Sequence, residues 1–185
     1  MIKIHGSSGI EFPNNYSIKS DSGDLTVMND VNKLWGMNST GYESKPNIPA
    51  FYVQNTETGN GYTGGTNLTL FSVEKINNGN HFTKSTGKFT APVDGIYFFS
   101  WWAQEETYYG NWGAGYRGAF YVNDTNAGYT FGNSGLEDAS NENWFYIQAL
   151  IKLKANDYVT VRFWATDTTP SFEANQGGFM GYLIG

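Results

Sequence analysis

The chain has 185 residues, room for one core domain plus an appendage. Aromatic residues make up 17% and charged residues only 15%, with 23 glycines and abundant asparagine, which is a profile of short strands and tight turns and not of helices. The net charge of −6 argues against a nucleic-acid backbone as partner, no apolar run is long enough for a membrane-spanning helix, and the absence of cysteine excludes disulfides and is compatible with assembly in a reducing cytosol.

Residues 1–48 read differently from the rest. The opening MIKIHGSSG has no apolar core of the length a secretory signal needs, so with Met1 as the native start the expectation is synthesis inside the cell. Short alternating pieces follow: Ile2 and Ile4, Ile10 and Phe12, Tyr16 and Ile18, Leu25 and Val27. Clusters of Gly, Ser, Asn, Asp and Pro separate them, so the period of two reads as strands and the clusters as turns. So small a segment rarely buries enough surface to fold alone. Two arrangements stay open: it packs on its own head domain, or three copies intertwine as a stem. Lys45 to Pro49, with two prolines, is the expected junction, giving an N-terminal anchoring arm or stem over 1–48 and a head over 49–185.

In the head, AFYVQ at Ala50–Gln54 reads as a strand. Gly87 in STGK supplies the positive φ of a turn, KFTAPV is a short strand stopped by Pro92, and Asp94–Gly95 is a hairpin signal. IYFFSWW, from Ile96 to Trp102, is apolar on both faces. Between Glu105 and Tyr116 lies EETYYGNWGAGY, where Tyr108, Tyr109, Trp112 and Tyr116 sit among glycines; flat rings there could stack on a sugar or enter a partner surface, or else cover strand ends and lock subunits. Phe145, Ile147, Ala149, Ile151 and Leu153 make one apolar face of a strand, and its other face (Trp144, Tyr146, Gln148, Leu150, Lys152) is also largely apolar. Phe179–Ile184 behaves likewise, whereas Tyr158, Thr160 and Arg162 alternate with Val159, Val161 and Phe163 as a strand with one wet face. A two-sheet sandwich buries only the inner face of each sheet, so the surplus apolar faces must meet something else.

TGKFTAPVDGIYFFSW resembles the core motif of the globular head of complement component 1q, a family sharing the tumour-necrosis-factor jelly roll. AFYVQ resembles that family's first strand, LKANDYVTVRF at Leu153–Phe163 its Leu-x-x-Gly-Asp-x-Val strand with Asn156 where Gly is usual, and GGFMGYLIG at Gly177–Gly185 its closing strand. The resemblance implies an all-β fold, a ten-stranded jelly-roll sandwich of two antiparallel sheets. It also implies that the doubly apolar strands form the inner sheet of a homotrimer, placing Phe98, Trp102, Trp144, Tyr146, Leu150, Met180 and Tyr182 at the trimer interface. The alternative is a monomer covered by its N-terminal arm. Separately, GIEFPNNYSIKS is similar to a Gly-Ile-x-Phe-x-Asp-Gly-x-x-Gln pattern of phage tail-fibre proteins, with Asn14–Asn15 in place of Asp-Gly and Lys19 near the usual Gln.

Chemistry-bearing patterns are thin, and no catalytic residue is expected. His5 and His81 lie far apart with no metal-binding spacing, so no transition-metal site is expected. GAGYRG at Gly113–Gly118 satisfies the dinucleotide fingerprint but precedes a strand, so no helix N-terminus awaits a phosphate. Glu105–Glu106 and Glu137–Asp138 are the available carboxylate pairs for glycoside hydrolysis, but neighbours on a strand point to opposite faces. The acidic loops could offer oxygen ligands to calcium, yet no spacing supports it, and no cofactor is expected. Sequons at Asn15, Asn38, Asn67 and Asn123 read as chance in an Asn-rich chain.

Three classes of function then compete. The leading expectation is a non-enzymatic trimeric virion protein of a bacteriophage, a tail-fibre knob or a capsid decoration. It would be held to other virion proteins through residues 1–48 and would contact a host-surface glycan or protein. The second is a secreted, extracellular recognition module, which predicts a signal peptide or collagen-like repeats upstream. The third is a depolymerase, which predicts a cleft with facing carboxylates. Neither nucleic acid nor membrane insertion is expected.

Overall fold

In the computed structural model, residues 3–5, 9–12, 15–21, 24–29, 32–45, 47–55, 59–60, 65–105, 115–134, 144–165 and 171–185 are described. The chain divides into two compact units, Met1–Ile48 and Pro49–Gly185.

In the first unit the alternating pieces become a meander. Strands β1 (Lys3–His5), β2 (Gly9–Glu11), β3 (Tyr16–Asp21), β4 (Asp24–Asn29), β5 (Asn32–Met37) and β6 (Glu43–Ser44) pair antiparallel in chain order as one sheet. The β5–β6 turn is closed by Asn38, whose Oδ1 accepts from the amides of Thr40 at 3.1 Å and Tyr42 at 2.8 Å, while Gly41 supplies a φ of 88°.

The second unit is a sandwich of two antiparallel sheets. Its strands are β7 (Ala50–Gln54), β8 (Gly59–Asn60), β9 (Val73–Asn78), β10 (Phe82–Thr83), β11 (Lys88–Thr90), β12 (Gly95–Glu105), β13 (Gly115–Val122), β14 (Thr125–Ser134), β15 (Trp144–Leu153), β16 (Tyr158–Ala165) and β17 (Ser171–Leu183). One sheet runs β10-β11-β16-β13-β14; the other runs β15-β12-β17-β7-β9, with two-residue β8 paired to the start of β17. Eleven strands are thus described where ten were expected, the short β8 making the difference.

Between the sheets lies an aromatic core. Phe51 of one sheet stacks on Phe82 and Phe89 of the other at 4.7 and 4.9 Å, and meets Phe179 edge-on at 4.8 Å. Phe163 meets Phe145 edge-on at 5.0 Å, across the same gap. Each of these rings has 2% or less of its surface exposed, apart from Phe82 at 4%, so the alternation of β15 and β16 is resolved by burying Phe145 through Leu153 and Val159 through Phe163.

Two sequence expectations are corrected. Asp94–Gly95 does not close a hairpin: β11 lies in one sheet and β12 in the other, so the segment is a crossover. Two side chains hold it, Asp94 Oδ1 accepting from the distant Ala155 amide at 2.8 Å and the Tyr97 hydroxyl donating to the nearby Val93 carbonyl at 2.9 Å. At Gly95 a Cβ would come within 2.5 Å of the Leu183 side chain, so a larger residue there would displace that leucine. The second correction concerns β16, whose outer face is not uniformly wet. Thr160 is fully buried, because its register partner Tyr121 and its own neighbours Tyr158 and Arg162 close over it. Arg162 lies 4.2 Å from the centre of the Tyr121 ring, and Lys88 lies 3.7 Å from that of Tyr158.

Candidate interaction face

Strand register sorts the outer face of the β15-β12-β17-β7-β9 sheet into rows. Leu150 pairs with Phe98, Phe98 with Tyr182, and Tyr182 with Ala50. In the next row Gln148, Ser100, Met180, Tyr52 and Ile76 stand side by side. Beyond it come Tyr146, Trp102, Gly178 and Gln54, and then Trp144 beside Gln104. All seven residues expected at a trimer interface therefore share one face of one sheet. The inner face of β15 is almost fully buried, yet on this face Tyr146 keeps 59% and Leu150 55% of its surface exposed.

Aromatic contacts give the face its relief. Trp144 stacks on Tyr146 at 6.2 Å, Phe98 leans on Tyr182 at 5.5 Å, and Trp102 reaches over Gly178 to within 5.8 Å of Tyr52. A polar pair sits in the middle, Gln148 Nε2 donating to Ser100 Oγ at 3.4 Å. These rows hold no charged residue; Lys152 stands in the next row, at the margin beside Ile96. Ile96, Ile184 and Ile76 extend the exposed apolar surface. The seven residues expected at the interface did not include these three or Tyr52, although Ile96 and Ile184 lie in the strands read as apolar on both faces. The alternation of AFYVQ could have signalled Tyr52; in VEKINN a single isoleucine among polar residues gives no period, so Ile76 was not readable.

The opposite outer face, on the β16 sheet, is polar, and its exposed groups bond to one another, while the buried Thr160 Oγ1 has no hydrogen-bond partner. Asp124 is bonded by the Tyr158 hydroxyl at 2.5 Å and by the Arg162 guanidinium, and Arg162 Nε also donates to Asn67 Oδ1 at 2.9 Å. The Tyr158 hydroxyl bond, then Arg162 and Lys88, lower the Asp124 pKa, and the same bond raises that of Tyr158. Asp157 takes the Lys154 amide and Asn123 Nδ2, both at 2.7 Å, and these bonds hold its carboxyl below the usual range. Two of the sequon asparagines, Asn67 and Asn123, thus spend their side chains inside this network.

The remaining sequence candidates are dispersed. Tyr108, Tyr109, Trp112, Glu106, Glu137 and Asp138 lie outside the described residues. Tyr116 is on β13, its backbone paired with Ala165, and Glu105 ends β12 opposite Phe172. His81 is half-buried and edge-on to Phe89 at 6.5 Å; burial lowers its pKa. Among the described residues no group of three His, Cys, Asp or Glu side chains is placed to hold a metal ion. Among the described residues no helix is long and apolar enough to cross a membrane.

The sequence profile of the C1q domain matches residues 50–184. Among solved structures, the chain is similar to the globular domain of zebrafish complement 1qA protein, with 22% identity, a TM-score of 0.55, and coverage of 74% of this chain and 98% of that one. At that identity the likeness speaks for the jelly-roll fold. No curated protein matches the chain.

Proposed function

From the premise that the chain belongs to the C1q domain family over residues 50–184, we propose that it works as a non-enzymatic homotrimeric head whose task is recognition and assembly. The observation that carries this is the apolar outer face of the β12 sheet. A face bearing exposed Tyr146, Leu150, Tyr182 and Ile76 exceeds the scattered apolar residues of an ordinary surface and matches the core of a protein interface. Three copies arranged about a threefold axis cover it with heterologous contacts that close into a ring. The seven residues Phe98, Trp102, Trp144, Tyr146, Leu150, Met180 and Tyr182 form the contact, and Tyr108, Tyr109, Trp112 and Tyr116 are the aromatic residues offered to a ligand.

The setting that fits best is a bacteriophage virion, with residues 1–48 attached to other virion proteins and the head facing a host-surface glycan or protein. Its support is the tail-fibre-like GIEFPNNYSIKS within an N-terminal β unit separate from the head. Many copies on one particle let weak single contacts act together. The family match also favours a second setting, a secreted recognition module.

Light scattering on the purified chain tests the assembly, and a mass of one chain at micromolar concentration would end the trimer reading. Gold-labelled antibody to residues 49–185, imaged on intact particles from the source, tests the setting. Label on heads or tails supports the virion; unlabelled particles with protein in secretions support the secreted module.

A further inference from the structure

The N-terminal sheet carries a second unpartnered apolar face. Register aligns Ile10 with Ile18, Ile18 with Val27, and Val27 with Trp35 across four strands, and Leu25 with Met37 one step on. The reverse face carries Ser17, Lys19, Thr26, Met28 and Lys33, polar but for the one methionine. The unit is a single layer, and among the described residues no buried hydrophobic side chain precedes Phe51. Ile10 and Leu25 keep 36% and 38% of their surface exposed. A lone sheet with one apolar face and no second layer lacks the burial that offsets chain entropy. Something must cover that face.

We propose that the cover is the same face of two further copies of this chain, three N-terminal sheets turning their Ile18–Val27 rows inward as a three-sided β stem. This rests on the trimer reading of the head and adds a second, separate interface to it. Two observations select the occupant. The apolar rows hold almost no charge: Glu43 stands at the β6 rim and pairs with Lys45 at 3.5 Å, so the face offers a charged partner nothing and fits an equally uncharged copy of itself. The last strand of the first unit also ends at Ser44 and the first strand of the head begins at Ala50, so the connection is short. Trimeric heads would therefore hold three such faces at an effective concentration in the millimolar range, enough for a modest apolar contact to close. The polar face, with Lys19 and Lys33, stays outward for attachment.

The chain has no cysteine, so single cysteines report cleanly. Full-length Ile18→Cys and Val27→Cys, on the apolar row, and Lys19→Cys, on the reverse face, are treated with a short bis-maleimide. Oligomer mass is measured by light scattering on the same samples. The expected result is a trimer whose Ile18→Cys or Val27→Cys chains cross-link to one another while Lys19→Cys chains do not. A trimer with equal cross-linking on both faces, or with none at either apolar site, overturns the stem and leaves the trimeric head standing. Apolar-row cysteines shielded from monofunctional maleimide yet never cross-linked would mean that the chain's own head or another protein covers them, which also overturns it. A monomer mass overturns both readings.

Discussion

The Trp102 indole lies over Gly178, where an added Cβ would come within 2.7 Å of ring carbon Cζ2. Trp102 is on the outer face, so the glycine is what lets the ring lie flat toward Tyr52. Three residues later on the same strand, Gly181 does the reverse job: its Cβ would come within 2.5 Å of Phe99 in the core.

These two glycines should separate assembly from folding. Gly178→Ala lifts Trp102 off the sheet, shifts tryptophan emission and moves trimer dissociation to higher protein concentration. Gly181→Ala overpacks the core and lowers unfolding stability by about 1–3 kcal/mol. In a double-mutant cycle Gly178→Ala should cost less when Trp102→Ala is already present, because the clashing ring is gone. Equal effects of both glycine variants on dissociation would contradict the division of the two faces.

On β15 the two faces should likewise respond differently to charge. Leu150→Asp leaves the β-sheet circular dichroism intact but yields monomeric heads, since each exposed leucine whose burial is worth about 1.5–3 kcal/mol is replaced by a charge. Ile147→Asp, on the inner face, should prevent folding. Light scattering and near-ultraviolet dichroism read the two outcomes; a trimeric Leu150→Asp chain would remove the outer face from the interface.

Asn156 stands where the family pattern has Gly, and its φ of 72° explains why either residue serves. Its amide donates to the Ala91 carbonyl at 2.7 Å, tying the β15–β16 turn to the end of β11. Asn156→Gly should be near neutral in thermal unfolding. Asn156→Val should lose about 1–2 kcal/mol, the cost of a left-handed conformation for a residue with a branched Cβ.

Acid should loosen the same corner. Hydrogen bonds from the Lys154 amide and Asn123 lower the Asp157 pKa in the fold, so the folded state holds that proton less tightly than the unfolded chain. The stabilisation is present above the usual carboxylate range and is lost as pH falls through that range toward the lowered folded value. Asp157→Ala should lower the melting temperature near neutrality and flatten its fall in acid; an unchanged acid slope would show that Asp157 does not contribute to it.

Much of the head was readable because its strands obey a period of two and its turns use residues with a backbone reason to be there. Among the described residues, every non-glycine with positive φ is Asn or Asp: Asn15, Asn80, Asn123, Asp124, Asn156 and Asn175. The abundance of asparagine was therefore turn chemistry written in composition. The doubly apolar pattern of β12 and β15 was also enough to show that one sheet has a face too many.

What the sequence could not determine was which strands share a sheet. Asp94–Gly95 has the local chemistry of a hairpin, but the pairing of β11 with β16 and of β12 with β15 and β17 sends the chain across the sandwich instead. Thr160 looked wet because alternation reports only which side a residue faces; that Tyr121 and Arg162 close over it depends on β13 lying beside β16. Ile76 joined the outer face only through its pairing with Tyr52. Local pattern determines strand, turn and face, since those are set by neighbours in the chain. Long-range pairing is set by which side chains fill the common core, and that was decided only in the folded tertiary structure.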